Sequence, residues 1–273
     1  MKYREPLSQT SIGISISDSQ DMETIGLAEE HLRDAMTEVA RHLLAMGARL
    51  VYGGDLRAHG FTDLLIELVA RYKRDADLKD TRAAILNYLA WPALCCMDLE
   101  QINTHAQIVA GLVEMHCLDH QGRDIEPALL RKTPTSPPTS EEWSSGLMSM
   151  RHVMTKVCDA RIILGGQVSG FKGRMPGIAE EALFCLQSEK PLYVLGGFGG
   201  CARGIAEELG LTSPQRAPAT LWNDRTKFSG LTVDALNNGL SSVENQTLAR
   251  TVHIDEAVAL ILRGMFRRFR PPN

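Results

Sequence analysis

Short apolar runs of strand character alternate along this chain with longer stretches whose apolar residues recur at helical spacing, a pattern that permits few architectures. Ser11-Ile-Gly-Ile-Ser-Ile-Ser17 alternates isoleucine with small residues and breaks into Asp18-Ser-Gln-Asp, as a strand does when it delivers a loop to a sheet edge. Over residues 26–46, Leu32, Met36, Val39, Ala40, Leu43 and Leu44 keep the helical period, and Gly47 is placed to end the helix. Residues 49–52 read as a second strand running into Gly53-Gly54-Asp55, and 61–72 as an amphipathic helix. A third strand spans 85–90, stopped by Pro92, and 113–117 is a weaker strand pattern.

Beyond residue 139 the pattern resumes. Ser140 reads as an N-cap ahead of Glu141 and Glu142, opening a helix to about Cys158. Then follow a strand at 160–164, a helix at 177–187, a strand at 191–195, a helix at 201–209 and a terminal helix at 255–269. Strands alternating with helices imply an α/β fold: a Rossmann-like doubly wound parallel sheet with helices on both faces. Residues 1–273 read as one such domain. Its one irregular stretch, at about 118–140, carries Pro127, Pro134, Pro137 and Pro138 and is expected to be a loop or lid.

Composition excludes several function classes. With 29 Lys and Arg against 33 Asp and Glu, the formal charge is −4, and aromatics make up 5%. Neither an attracting field nor stacking platforms for nucleic acid are expected. The basic segment around Arg263, Arg267, Arg268 and Arg270 reads as a helix end whose cations complement the dipole. No apolar stretch has the length of a membrane span, and residues 1–11 lack a signal-peptide pattern, so no membrane partner and a cytoplasmic location are expected. Cys95, Cys96, Cys117, Cys158, Cys185 and Cys201 form no Cys-x-x-Cys and read as buried free thiols. The eight histidines show no ligand spacing, so neither a metal nor a cofactor is implied.

In an open parallel sheet, ligands bind beyond the carboxyl ends of the strands. Ser17 and Asp18 fall at such an end, as do Gly53-Gly54-Asp55, Gly165-Gly166 and Gly196 to Gly200. Glycine pairs let backbone N–H groups approach a phosphate, although any one such loop serves equally well as a plain turn. The richest segment runs from Gly165 to Glu181. Pro176-Gly177 opens a helix whose first N–H groups can face an anion, and Lys172 and Arg174 on the preceding loop can add side-chain cations. Glu180 and Glu181 occupy the first turn of that helix, where dipole complementarity alone would make them dispensable at a cost below about 1 kcal/mol. Alternatively, one of them points into a pocket and holds ribose hydroxyls or assists departure of a base.

The run Leu50-Val-Tyr-Gly-Gly-Asp55 with Gly60-Phe-Thr-Asp63, then Arg151, Cys158-Asp-Ala-Arg-Ile-Ile-Leu-Gly-Gly166 and Pro176-Gly-Ile-Ala-Glu-Glu181, resembles the SLOG superfamily. That group includes the LOG phosphoribohydrolases, the DprA/Smf DNA-processing proteins, and sensor domains for nucleotide-derived messengers in bacterial antiphage systems. The resemblance covers residues 11 to about 209. It implies that Arg151 and Glu181 match the arginine and glutamate of the LOG motif and that Gly177 matches its glycine run. Asp55 replaces the third glycine of the LOG turn, Ile178 replaces its threonine, and residues 167–175 split the motif.

Two readings follow from the resemblance. The inserted Lys172 and Arg174 bring the chain nearer to the sensor branch. There Arg151, Lys172 and Glu181 would hold a nucleotide or NAD-derived ligand of ADP-ribose type, and a separate effector chain would give the output. The alternative is a LOG-like N-glycosidase, in which Glu181 stabilises the developing oxocarbenium charge and Arg151 orients a nucleoside 5′-phosphate. In either case a homodimer is expected.

Overall fold

The protein is described by a computed structural model over residues 5–54, 60–75, 82–126, 137–214, 222 and 224–269. Six strands form one sheet in the order β4-β3-β2-β1-β5-β6. They are β1 (Ser11–Ser17), β2 (Arg49–Gly53), β3 (Ile85–Leu89), β4 (Val113–Cys117), β5 (Ala160–Gly165) and β6 (Leu192–Leu195). Every pairing is parallel. The chain winds outward from β1 to β4, then crosses back to place β5 on the other side of β1. The topological switch therefore lies between β1 and β5, where the strand ends part to opposite faces.

The alternation in β1 divides the two faces of the sheet. Ile12, Ile14 and Ile16 face a core closed by α1 (Glu29–Ala45), α2 (Phe61–Asp75), α8 (Ser242–Arg250) and α9 (Ile254–Arg268), with Leu50, Ile85, Ile162 and Tyr193 from neighbouring strands. The opposite face of β1 presents only Gly13, Ser15 and Ser17, in register with Arg161, Ile163 and Gly165 of β5. That face is covered by α5 (Ser140–Val157), α6 (Gly177–Gln187) and α7 (Gly200–Glu208). The small residues of β1 leave room there, and the candidate site occupies it.

The expected elements match the observed ones closely, with local differences. The N-cap of α5 is Thr139, whose hydroxyl accepts from the Glu142 N–H while the Glu142 carboxylate accepts from the Thr139 N–H. At the other end of α5, the Lys190 ammonium donates to the carbonyls of Thr155, Lys156 and Cys158, satisfying the last turn. Pro92 does end β3, but by opening the single-turn α3 (Trp91–Leu94). Helices α4 (Leu99–Ile108) and α8 are additions to the expected list. Of the expected loop at 118–140, residues 118–126 form a tight turn closed by the Leu118–Asp124 bridge, whereas 127–136 lie outside the described residues. Arg270 also lies outside them.

All six cysteines are free, but Cys96 is exposed and Cys95 half-buried, because both follow the short α3 at the surface rather than entering the core. No helix among the described residues is long and apolar enough to cross a membrane.

Candidate functional site

Beyond the carboxyl ends of β1, β2 and β3, a cavity of about 420 Å³ opens between the sheet, α5 and the start of α6. Of the residues singled out from sequence, Ser17, Gly53, Gly54, Arg151, Lys172, Gly177, Ile178 and Glu181 line it. Its remaining wall carries the aromatic residues Tyr52, Tyr88, Trp143 and Phe171 together with aliphatic side chains and the polar Ser15 and Gln167. A concave site that mixes apolar and aromatic surface with convergent polar groups is suited to a small molecule.

The sequence separates Arg151 from the two glutamates by nearly thirty residues, and the packing of α5 on α6 joins them. Arg151 Nη1 donates to Glu180 Oε2 at 2.5 Å, and Arg151 Nε stands 3.6 Å from Glu181 Oε1. All three side chains are buried, so Glu180 and Glu181 are not dispensable helix-start acids. The approach depends on Gly177: a Cβ there would lie 2.6 Å from Arg151 Nη2. Arg151 Nε is buried without a hydrogen-bond partner, leaving one donor uncommitted beside Glu181.

Beneath Glu181 lies a residue that the sequence reading passed over. Arg161, in the middle of β5, is 0% exposed. Its Nη1 donates to Glu181 Oε2 and, at 2.7 Å, to Ser15 Oγ, while Ser15 Oγ donates to the same Glu181 oxygen at 2.5 Å. Burial is the largest influence on the guanidinium and works against its charge, but the charge and hydrogen bond of Glu181 together with its other neighbours outweigh it and hold the group above its ordinary value. A lone arginine inside the apolar run Ala160-Arg-Ile-Ile-Leu164 was the available signal, since a charge in a central strand requires a buried partner. Glu181 thus has one oxygen taken by Arg161 and Ser15 and the other turned toward Arg151 at the cavity wall.

Formal charges within this cluster cancel: two arginines face two glutamates. The net positive charge of the cavity comes from Lys172, whose ammonium sits 3.6 Å from the centroid of the Trp143 ring. Among the described residues no carboxylate pairs with it. The start of α6 adds its unpaired N–H groups and partial positive charge, since the first intrahelical bond is made by the Glu180 N–H to Pro176 O.

The other candidates stand apart from this cavity. Gly165 and Gly166 do not line it; both have positive φ, 63° and 109°, and make the turn that leaves β5. There Gly166 N–H donates to Ser17 O and Gly166 O accepts from Cys201 N–H, so the polar groups of Gly166 join the end of β1 to the start of α7. Asp18 is also outside the lining, and Arg174 lies on the neighbouring surface. Asp55 lies outside the described residues. The glycines from 196 to 200 serve the fold: Asp21 accepts from the Gly200 N–H at 2.9 Å with one carboxylate oxygen and 3.1 Å with the other, so the start of α7 already holds an anion from the chain itself. His152 stacks on Phe184 on the outside of α5, away from the cavity.

The family model described as SLOG cluster2 matches residues 6–233 of the chain. No curated protein matches it.

Proposed function

The chain belongs to the SLOG superfamily, whose function is nucleotide-related in general, and from that premise we propose that the cavity binds a nucleotide or NAD-derived ligand of ADP-ribose type. The observation that carries this reading is the convergence of Arg151, Lys172, Glu181 and the start of α6 on one cavity with aromatic residues in its wall, beyond the ends of β1, β2 and β3. A phosphate meets Lys172 and the N–H groups of Gly177 and Ile178. A ribose hydroxyl can donate to the Glu181 oxygen that Arg161 and Ser15 leave open. The base has Tyr52, Tyr88 and Trp143 to pack against.

Binding is favoured over glycosidic hydrolysis by the state of Glu181. A carboxylate that must stabilise an oxocarbenium ion works best unneutralised, and this one is tied to one arginine and flanked by another. In this reading the protein is a cytoplasmic sensor, a homodimer of one-domain chains that passes its signal to a separate effector chain. The test is incubation with nucleoside monophosphates, NAD and ADP-ribose, following thermal stabilisation and free base together. Stabilisation without base release is expected. Base release that disappears in Glu181→Ala overturns the sensor reading in favour of the hydrolase.

A further inference from the structure

The cavity does not end at Lys172. Trp143, Phe171 and Lys172 also line a second, more open cleft of about 690 Å³, so the two volumes adjoin with these three residues as the sill between them. We propose that the outer cleft receives the far nucleoside of a linear dinucleotide whose pyrophosphate lies across the sill. The proposal rests on the nucleotide-binding reading given above and assigns that ligand its length.

The distribution of charge supports the assignment. Lys172 stands at the sill and Arg174 beside it in the outer cleft, both exposed, and among the described residues neither pairs with a carboxylate. Lys172 instead covers the face of Trp143. A pyrophosphate at the sill draws the ammonium to itself and uncovers that ring face for a stacked base. Glu141 adds a negative charge to the wall of the outer cleft. That charge disfavours a ligand whose phosphates extend outward, such as a nucleoside triphosphate, and suits one whose anion is central and whose far end is neutral and rich in hydroxyls.

A second observation lies in the wall of the cleft. Ser144 is 9% exposed, and its hydroxyl is buried with no hydrogen-bond partner. A buried hydroxyl left unpaired is costly, and rotation of the Ser144 side chain toward an occupant with sugar hydroxyls supplies the missing partner.

The test is calorimetric titration of the full chain with NAD as the linear dinucleotide and AMP as its inner half. NAD is expected to bind at least about tenfold more tightly than AMP. Arg174→Gln, at an exposed position that folding does not need, is expected to remove most of that advantage while leaving AMP within about twofold. Ser144→Ala provides a second variant with the same expected direction. Equal affinity for NAD and AMP, or an Arg174→Gln effect of the same size on both, overturns the outer subsite while the nucleotide-binding reading stands. Binding of neither ligand removes the reading on which the proposal rests, and the proposal with it.

Discussion

Replacing Glu181 by alanine removes the one carboxylate that, among the described residues, pairs with Arg161, a guanidinium with no exposed surface. What remains around Arg161 is Ser15 Oγ at 2.7 Å and Cys158 Sγ at 3.8 Å, neither of which carries a compensating charge at neutral pH; burial pushes the Cys158 thiol up to about 11. Breaking a buried pair from one side costs about 3–5 kcal/mol, against less than about 1 kcal/mol for an acid that merely complements a helix dipole. Arg161→Met is expected to cost less than Glu181→Ala, since Arg151 still stands 3.6 Å from the other oxygen of the carboxylate. The double variant Arg161→Met with Glu181→Met removes both charges and recovers much of the loss, apart from about 1–3 kcal/mol for the Ser15 hydroxyl left without partners. Guanidinium unfolding followed by circular dichroism measures all three, with an expected coupling energy of about 2–3 kcal/mol. A cost for Glu181→Ala below about 1 kcal/mol, or strictly additive single effects, refutes the buried-pair reasoning.

Two further outcomes test other parts of the account. Glu244, capping α8 through Ser241 and bridging to Arg263 and Arg267 of α9, has its carboxyl held well below the usual carboxylate range, chiefly by the Arg267 hydrogen bond. A depressed folded value means stability that is present above the ordinary value of 4.5 and lost as the pH falls through the folded one. Wild type should therefore exceed Glu244→Gln by about 1 kcal/mol at neutral pH, with the gap closing under acid, as read by unfolding curves across pH. Thiol labelling under native conditions at pH 8 should modify Cys96 quickly and Cys95 more slowly. Cys117, Cys158, Cys185 and Cys201 should react only after unfolding, because burial shields them and raises their titration. Rapid native labelling of Cys158, read by mass spectrometry, contradicts the packing under Arg161.

How much of this was legible in the sequence depends on what kind of signal each feature leaves. The strands and α6 were readable because period and glycine punctuation change together at their ends, and α6 spans 177–187 as expected. By contrast, α4 lies in Leu-Glu-Gln-Ile-Asn-Thr-His-Ala-Gln-Ile, where only a thin apolar stripe faces the sheet, so periodicity gave little. Its Asp98 cap, and the Ser241–Glu244 capping box of α8, were the readable marks. In the site, the convergence of Arg151 with Glu181 followed from the family resemblance. Partnering did not, because the short sequence distance between Arg161 and Glu181 says nothing about which face of β5 the arginine takes. Only the register of β5 on β1 puts Arg161 and Ser15 on the face that α6 covers. The glycine pair at 165–166 shows the converse limit: positive φ was readable, but whether the pair serves a ligand or a turn is decided by the start of α7, whose Cys201 N–H bonds to it.

The most direct test of the central claim is titration calorimetry with ADP-ribose on wild type, Lys172→Ala and Arg151→Ala, with folding of each variant verified by its unfolding transition. Saturable binding to wild type is predicted, weakened by about tenfold or more, roughly 1.4 kcal/mol, in the folded Lys172→Ala protein, where a cation of the cavity that no carboxylate among the described residues pairs with is gone. Wild type that binds neither ADP-ribose nor any nucleotide, or ADP-ribose affinity that Lys172→Ala leaves unchanged, contradicts the account.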